Sequence, residues 1–173
     1  PWLGKVGLTF APGGQQADAT GSWDRDLSAD IARLRNEFRA DHLVCLLEDA
    51  EFAELKVEGL GEAAQAAGMA FHRLPIPDGS TPDDLPEVTA LVSRIAGWAA
   101  SGENVVIQSK RGLGRAGTIG GCVVRYKGHD AATALAALAT SRGPDCPATG
   151  EQRRFIEEFE GGPAVARSRV LGA

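Results

Sequence analysis

The stretch Asn104-Val-Val-Ile-Gln-Ser-Lys-Arg-Gly-Leu-Gly-Arg-Ala-Gly-Thr118 decides the reading of this chain. Val105, Val106 and Ile107 are consecutive β-branched residues, the pattern of a buried strand. A glycine-rich loop follows, then a helix expected from about Ala116 to Tyr126. Gly112, Gly114 and Gly117 let the backbone take positive φ, so that successive N–H groups can face one point. The following helix turns its positive end toward the same point. Arg115, six positions after Ser109, adds a planar fork suited to two phosphate oxygens. The loop Ser109, Lys110, Arg111, Gly112, Leu113, Gly114, Arg115 is therefore expected to bind phosphate.

Rival readings of these glycines fail on what surrounds them. Gly112-Leu-Gly-Arg-Ala-Gly117 matches the dinucleotide fingerprint, which wants a second parallel strand ending in an acid about twenty residues on. Here the helix is followed by Gly128-His-Asp130 and another Ala/Leu-rich helix. A nucleotide-triphosphate loop wants Lys and then Ser or Thr after its last glycine, and none follows. A purely structural glycine turn leaves Arg115 without a reason.

Apolar strands alternate with amphipathic helices, the pattern of an α/β sheet covered by helices. The strands are expected at Lys5–Phe10, His42–Leu47, Met69–Leu74 and Asn104–Gln108. Helical spacing runs over Asp26–Phe38, capped by Asp24 or Asp26, and over Gly59–Ala67, stopped by Gly68. In Asp83–Ala100 an inward face is expected from Leu85, Val88, Leu91, Val92 and Ile95; Asp130–Thr140 and Thr149–Phe159 complete a helical C-terminal half. Ala11–Ser22 reads as a polar loop. The chain is expected to be a single domain over 1–160, the N-terminal strand and loop 1–22 included, with a tail over 161–173.

The 173 residues suffice for a substantial core, and 43% hydrophobic with 24% charged content is ordinary for a globular domain. A net charge of −5 argues against a general nucleic-acid binder. No apolar run approaches the ~18 residues of a membrane span, and no signal peptide is visible. Three cysteines without regular spacing fit a reducing cytoplasm better than a disulfide framework. Cys45 and Cys122 read as core residues and Cys146, in Arg142-Gly-Pro-Asp-Cys-Pro147, as a surface thiol. None lies on the phosphate loop. No metal site and no cofactor are expected, and the chain is expected to be a monomer.

The loop resembles that of the cysteine-dependent protein tyrosine and dual-specificity phosphatases, whose signature is Cys, five residues, Arg. A second segment, Leu74-Pro-Ile-Pro-Asp-Gly-Ser-Thr-Pro-Asp83, resembles the general-acid loop of the small phosphatases related to cyclin-dependent kinase inhibitor 3, the kinase-associated phosphatase group. Asp78 precedes Ser109 by thirty-one positions, as that group implies. A third match is Ala148-Thr-Gly-Glu-Gln-Arg-Arg-Phe155, and together the matches span about Trp23 to Phe159. The resemblance implies a dual-specificity-phosphatase-like mixed sheet of five strands flanked by helices. It also implies Asp78 as general acid, Arg115 as phosphate clamp and Gln152 as a candidate for positioning water. Lys110 and Arg111 read as a basic rim that can meet anionic substrate.

Three positions depart from the family. Ser109 stands where it has its nucleophilic cysteine, and Gln108 where it usually has histidine. A serine hydroxyl starts from a far higher pKa than a thiol, and no histidine or lysine stands ready as its base. Ala116 also lacks the hydroxyl that often follows the arginine. The expectation is a pseudophosphatase that binds a phosphorylated protein without turnover. The alternatives are an active phosphoprotein phosphatase, hydrolysing phosphotyrosine, phosphoserine or phosphothreonine through a phosphocysteine, captured as a Cys-to-Ser trap, or a phosphoinositide or RNA 5′-phosphate phosphatase-like protein.

Overall fold

A computed structural model describes residues 2–18, 21–160 and 162. Its elements, in order, are β1 (Val6–Thr9), β2 (Gln15–Asp18), β3 (Gly21–Asp24), α1 (Leu27–Asn36), β4 (His42–Cys45), α2 (Asp49–Glu54), α3 (Leu60–Ala66), β5 (Ala70–Arg73), α4 (Leu85–Ala100), β6 (Val105–Gln108), α5 (Gly114–Tyr126), α6 (Ala131–Arg142) and α7 (Gly150–Glu158). The α/β class is as expected. The central sheet has the order β1-β6-β4-β5, and each neighbouring pair is parallel.

β4 and β6, the two inner strands, are buried along their whole length, which is why they read as unbroken apolar runs. Alternation then sorts their side chains into two cores. Val44, Val105 and Ile107 pack under α4 to α7 with Val92, Ile95, Ile119 and Ile156. Leu43, Cys45 and Val106 face the opposite layer with Ile31, Leu60 and Met69 from α1, α3 and the turn before β5. All four strands therefore end at one edge of the sheet, and the loops that follow them meet there.

Helix starts follow side-chain capping. Asp26 accepts the Ala29 N–H at 2.7 Å, Asp84 the Glu87 N–H at 2.9 Å and Asp130 the Thr133 N–H at 2.7 Å. Val88, Leu91, Val92 and Ile95 form the buried face of α4 as expected, but Leu85 is exposed. It occupies the first helical position, before the helix lies down on the sheet.

Other expectations need correction. Within the supposed loop Ala11–Ser22, β2 pairs antiparallel with β3, Gln15 opposite Asp24 and Gln16 opposite Trp23. The antiparallel pairing implied by the family thus sits in this separate hairpin, and the central sheet has four strands instead of five. Backbone pairing with few apolar side chains leaves little periodicity to read. Helix α2 was not anticipated; six residues are too few for a helical pattern. Cys146 is buried, not a surface thiol, because its loop folds onto the α4–α7 core and its Sγ donates to the Leu113 carbonyl at 3.3 Å. The tail lies outside the described residues except for Gly162, which packs against the backbone of Tyr126.

Toward the opposite end of the strands His42, His72 and Trp98 form a stack, with ring centroids 4.0 Å apart for His42–Trp98 and 4.6 Å for His72–Trp98. His72 Nδ1 lies 2.9 Å from an Arg94 guanidinium nitrogen, which can only donate. Neutral His72 therefore carries its proton on Nε2 and donates to His42 Nδ1 at 3.0 Å. His42 Nε2 then faces Glu103 Oε1 at 3.4 Å.

Candidate active site

Strand β6 delivers Ser109 to the sheet edge, and α5 begins five residues later at Gly114. Between them Gly112 has φ +71°, and a methyl group there would strike the backbone of Thr9 and Phe10, so the turn needs glycine for both conformation and space. The loop carbonyls are held from outside. Lys110 O accepts from Ala11 N–H at 3.3 Å, Arg111 O and Gly112 O from the Arg142 guanidinium at 3.3 Å each, and Leu113 O from Gly117 N–H at 3.1 Å. In a trans peptide the C=O and N–H point in opposite directions. The N–H groups of residues 111 to 114 therefore turn away from those partners. Ser109 is 2% exposed, and its Oγ accepts the Ala116 N–H at 3.3 Å.

Arg115, on the first turn of α5, is 2% exposed. Its two terminal nitrogens grip the Glu51 carboxylate at 2.6 and 2.8 Å, a bidentate pair. Nη1 also donates to the Ile76 carbonyl at 2.9 Å, and Nη2 lies 3.0 Å from Asp78 Oδ1. Burial alone would drive the Glu51 carboxyl up, but hydrogen bonds from Arg115 and the Glu48 backbone, with the Arg115 charge, hold it below its ordinary value. Burial likewise opposes the guanidinium charge, yet Glu51 and Asp78 raise its pKa above the usual value. Both groups stay ionised at neutral pH.

Glu51 was missed by the sequence reading. It sits in the first turn of α2, where Glu48 and Glu51 form a capping box, with the Glu48 N–H donating to Glu51 Oε2 at 2.8 Å. That spacing was the available signal, and it gives no hint of a partner in α5.

A cavity of about 270 Å³ opens above Ser109 and Arg115. Of the residues singled out from sequence, Ser109, Arg111, Leu113, Gly114, Arg115, Asp78 and Gln152 line it; Lys110 and Gly112 do not. Asp145 joins the rim without having been foreseen. Hollows of about 400 Å³ beside β5 and about 330 Å³ beside β1 are larger, but neither contains Ser109 or Arg115. Chemistry, not size, selects the smaller one.

Gln152 is fully buried. Its Oε1 accepts the Thr149 N–H at 3.2 Å and its Nε2 donates to the Ser80 carbonyl at 3.1 Å. Gln108 is buried opposite Cys45 in the β4–β6 register, and neither atom of its amide has a hydrogen-bond partner among the described residues. Burial pushes the Cys45 thiol up to about 11 and raises the Cys122 and Cys146 thiols as well. None of them offers a thiolate near neutral pH.

A strand, an anion-suited loop with arginine at its end, and a carboxylate on a neighbouring loop make up a phosphatase fold of the dual-specificity type, and solved structures of that type share it. The family model for cyclin-dependent kinase inhibitor 3 (CDKN3) matches residues 5–137, and the chain belongs to that family. The rat protein cyclin-dependent kinase inhibitor 3 is 26% identical over 156 residues, covering 89% of this chain and 71% of its own. A crystal structure of kinase-associated phosphatase with its catalytic-site cysteine substituted by serine has a TM-score of 0.80 at 22% identity, covering 97% of this chain and 88% of that one. The structure of PTPMT1 follows with a TM-score of 0.71 at 18% identity, covering 97% and 96%.

Proposed function

We propose that this chain recognises a phosphorylated protein side chain between Ser109 and Arg115 and, with serine at the nucleophile position, holds it without hydrolysis. The observation that carries this reading is the buried Arg115, fixed by Glu51 at the floor of the cavity beside Ser109. Phosphate would take loop N–H groups that point away from the carbonyls' partners, the Arg115 Nε–H and the place on Nη2 that Asp78 now holds. No thiolate stands in for the missing nucleophile, and Gln108 cannot take a proton from Ser109.

A phosphoprotein suits the rim better than a polyphosphorylated inositol. Besides Arg115, the charged lining residues are acidic Asp78 and Asp145 and basic Arg111, so additional phosphates there would meet more like charge than opposite charge. The relatives carry the name cyclin-dependent kinase inhibitor 3, and a kinase as their target supports a protein as partner.

A second reading is an active phosphoprotein phosphatase captured as a Cys-to-Ser trap. The 3.0 Å contact between Asp78 and Arg115 supports it, because it keeps a carboxyl group beside the proposed phosphate site. Calorimetric titration with phosphoserine, phosphothreonine and phosphotyrosine peptides, alongside inositol phosphates, tests the proposal. Binding of the peptides, lost in Arg115→Ala and without phosphate release, is expected. Tighter binding of inositol phosphates overturns the substrate class, and phosphate release by the Ser109 protein overturns the absence of turnover.

A further inference from the structure

We infer that Gln152 is a positioning residue that latches the acid loop, and not a residue that orients water. This rests on the proposed site, with Asp78 as its acid. Each amide atom already has a protein partner. Oε1 faces an N–H donor, Thr149, and Nε2 faces a carbonyl acceptor, Ser80. The reversed amide would oppose carbonyl to carbonyl, so this network fixes the orientation.

The amide touches both the acid loop and the start of α5. A Cβ built on Gly114 would lie 2.9 Å from both Gln152 amide atoms, so the amide rests directly on the start of α5, one residue before Arg115. Ser80 is two residues beyond Asp78. Before Asp78, the chain is tied to the sheet by Leu74 N–H to Cys45 O at 3.0 Å and Ile76 N–H to Leu46 O at 3.1 Å. Arg115 holds the Ile76 carbonyl from the other side. Beyond Asp78, the Ser80 N–H closes a turn onto Pro77 O at 3.0 Å, and the Gln152 bond ties that turn to α7. Asp78 is thus bracketed by Ile76 and Ser80, and the second anchor depends on a single amide N–H. Glycine at 114 leaves that amide the room it occupies.

Gln152→Glu keeps the size and the acceptor for Thr149 N–H but replaces the donor to Ser80 and adds a negative charge beside the cavity, so Gln152→Asn, which adds none, is measured alongside it. In the Ser109 protein, amide hydrogen exchange over residues 79–84 should quicken by about tenfold, with residues 114–120 unchanged. Phosphopeptide affinity of the uncharged Gln152→Asn variant should fall far less than that of Arg115→Ala, since Arg115 and Glu51 are untouched. In the Ser109→Cys background, turnover of aryl phosphates with poor leaving groups should fall by about tenfold or more, and that of good leaving groups hardly at all. Adding Gln152→Glu to Asp78→Asn should cost nothing further. Thr149→Ala, which breaks the helix cap and spares the latch, should leave the leaving-group dependence unchanged. Where the Glu variant fails to fold, Gln152→Asn, whose amide falls short of Ser80, gives the same reading.

Unchanged exchange over 79–84 overturns the inference. So does an equal loss for all leaving groups with an intact burst and slowed breakdown of the phosphoenzyme, the signature of a water-orienting glutamine. An inert Ser109→Cys protein would count against the missing-nucleophile reading of the site, while the exchange measurement would still decide the latch.

Discussion

Arg115 and Glu51 stand 64 positions apart and meet through two hydrogen bonds of 2.6 and 2.8 Å, both side chains almost wholly out of water. The pair sets the orientation of the guanidinium before any ligand arrives. It also balances a charge that the core could not otherwise hold.

Removing one side of such a pair strands the other. Glu51→Gln should lower stability by about 3 kcal/mol in urea unfolding and weaken phosphate binding by at least about tenfold. Glu51→Gln combined with Arg115→Met should recover much of the stability and none of the binding. A single variant with unchanged stability would show that the contacts with Ile76 and Asp78 suffice to hold the arginine.

Restoring the thiol tests how much of the machinery persists. Ser109→Cys should produce measurable but weak phosphatase activity, weak because Ala116 leaves the sulfur without a hydroxyl partner. In that background Asp78→Asn should slow poor leaving groups most, and Arg115→Ala should abolish phosphate binding as well as turnover. Steady-state assays over a series of aryl phosphates measure both. A folded, phosphate-binding and inert Ser109→Cys protein would place further lost functions at Gln108, Ala116 or the acid loop.

The rim carboxylate makes a separate prediction. Asp145→Lys should raise affinity for inositol phosphates by about tenfold while changing affinity for a singly phosphorylated neutral peptide less. Parallel calorimetric titrations measure the difference. Equal changes for both ligands would mean that Asp145 does not discriminate.

The histidine stack predicts acid sensitivity away from the site. Burial and the charges of Arg94 and His42 lower the His72 pKa from 6.5 to about 4. The folded form keeps His72 neutral where the unfolded chain binds a proton, so its contribution is whole above pH 6.5 and is lost as pH falls toward 4. Glu103, facing His42, and Arg94 are the charged neighbours of the stack. The urea midpoint should fall across that window, and His72→Gln should flatten the fall; Trp98 fluorescence near the stack reports local opening.

Much of this architecture was legible because period and chemistry coincided. The inner strands read directly, since burial on both faces leaves only apolar residues at Leu43, Val44, Val106 and Ile107. The strand–loop–helix junction after β6 read directly because glycines follow an apolar run there. Glu51 and Asp145 did not, because each contributes one carboxylate to a site assembled across the chain, and a lone carboxylate leaves no pattern. The β2–β3 hairpin escaped because its pairing lies in the backbone. Cys146 was misplaced because a Gly/Pro-rich segment reads as surface, although this one folds inward. Gln152 was singled out for positioning water, and its hydrogen bond to Ser80, 72 residues away, is invisible locally.

The parallel register has a cost in time. Val6 pairs with Val105, and the Lys5 N–H reaches the Asn104 side chain across 99 positions. On a ribosome adding about 5–20 residues per second, β1 waits on the order of ten seconds for its partner strand. During that interval Leu8 and the strand around it have no sheet to join, and pairings this distant are intrinsically slow to form. β6 then arrives between β1 and β4 and completes the sheet from the middle. The anion loop follows directly behind that strand, and Gln152 and Asp145 are made later still. Newly made chains should therefore acquire phosphate affinity only after nearly the whole domain has been synthesised.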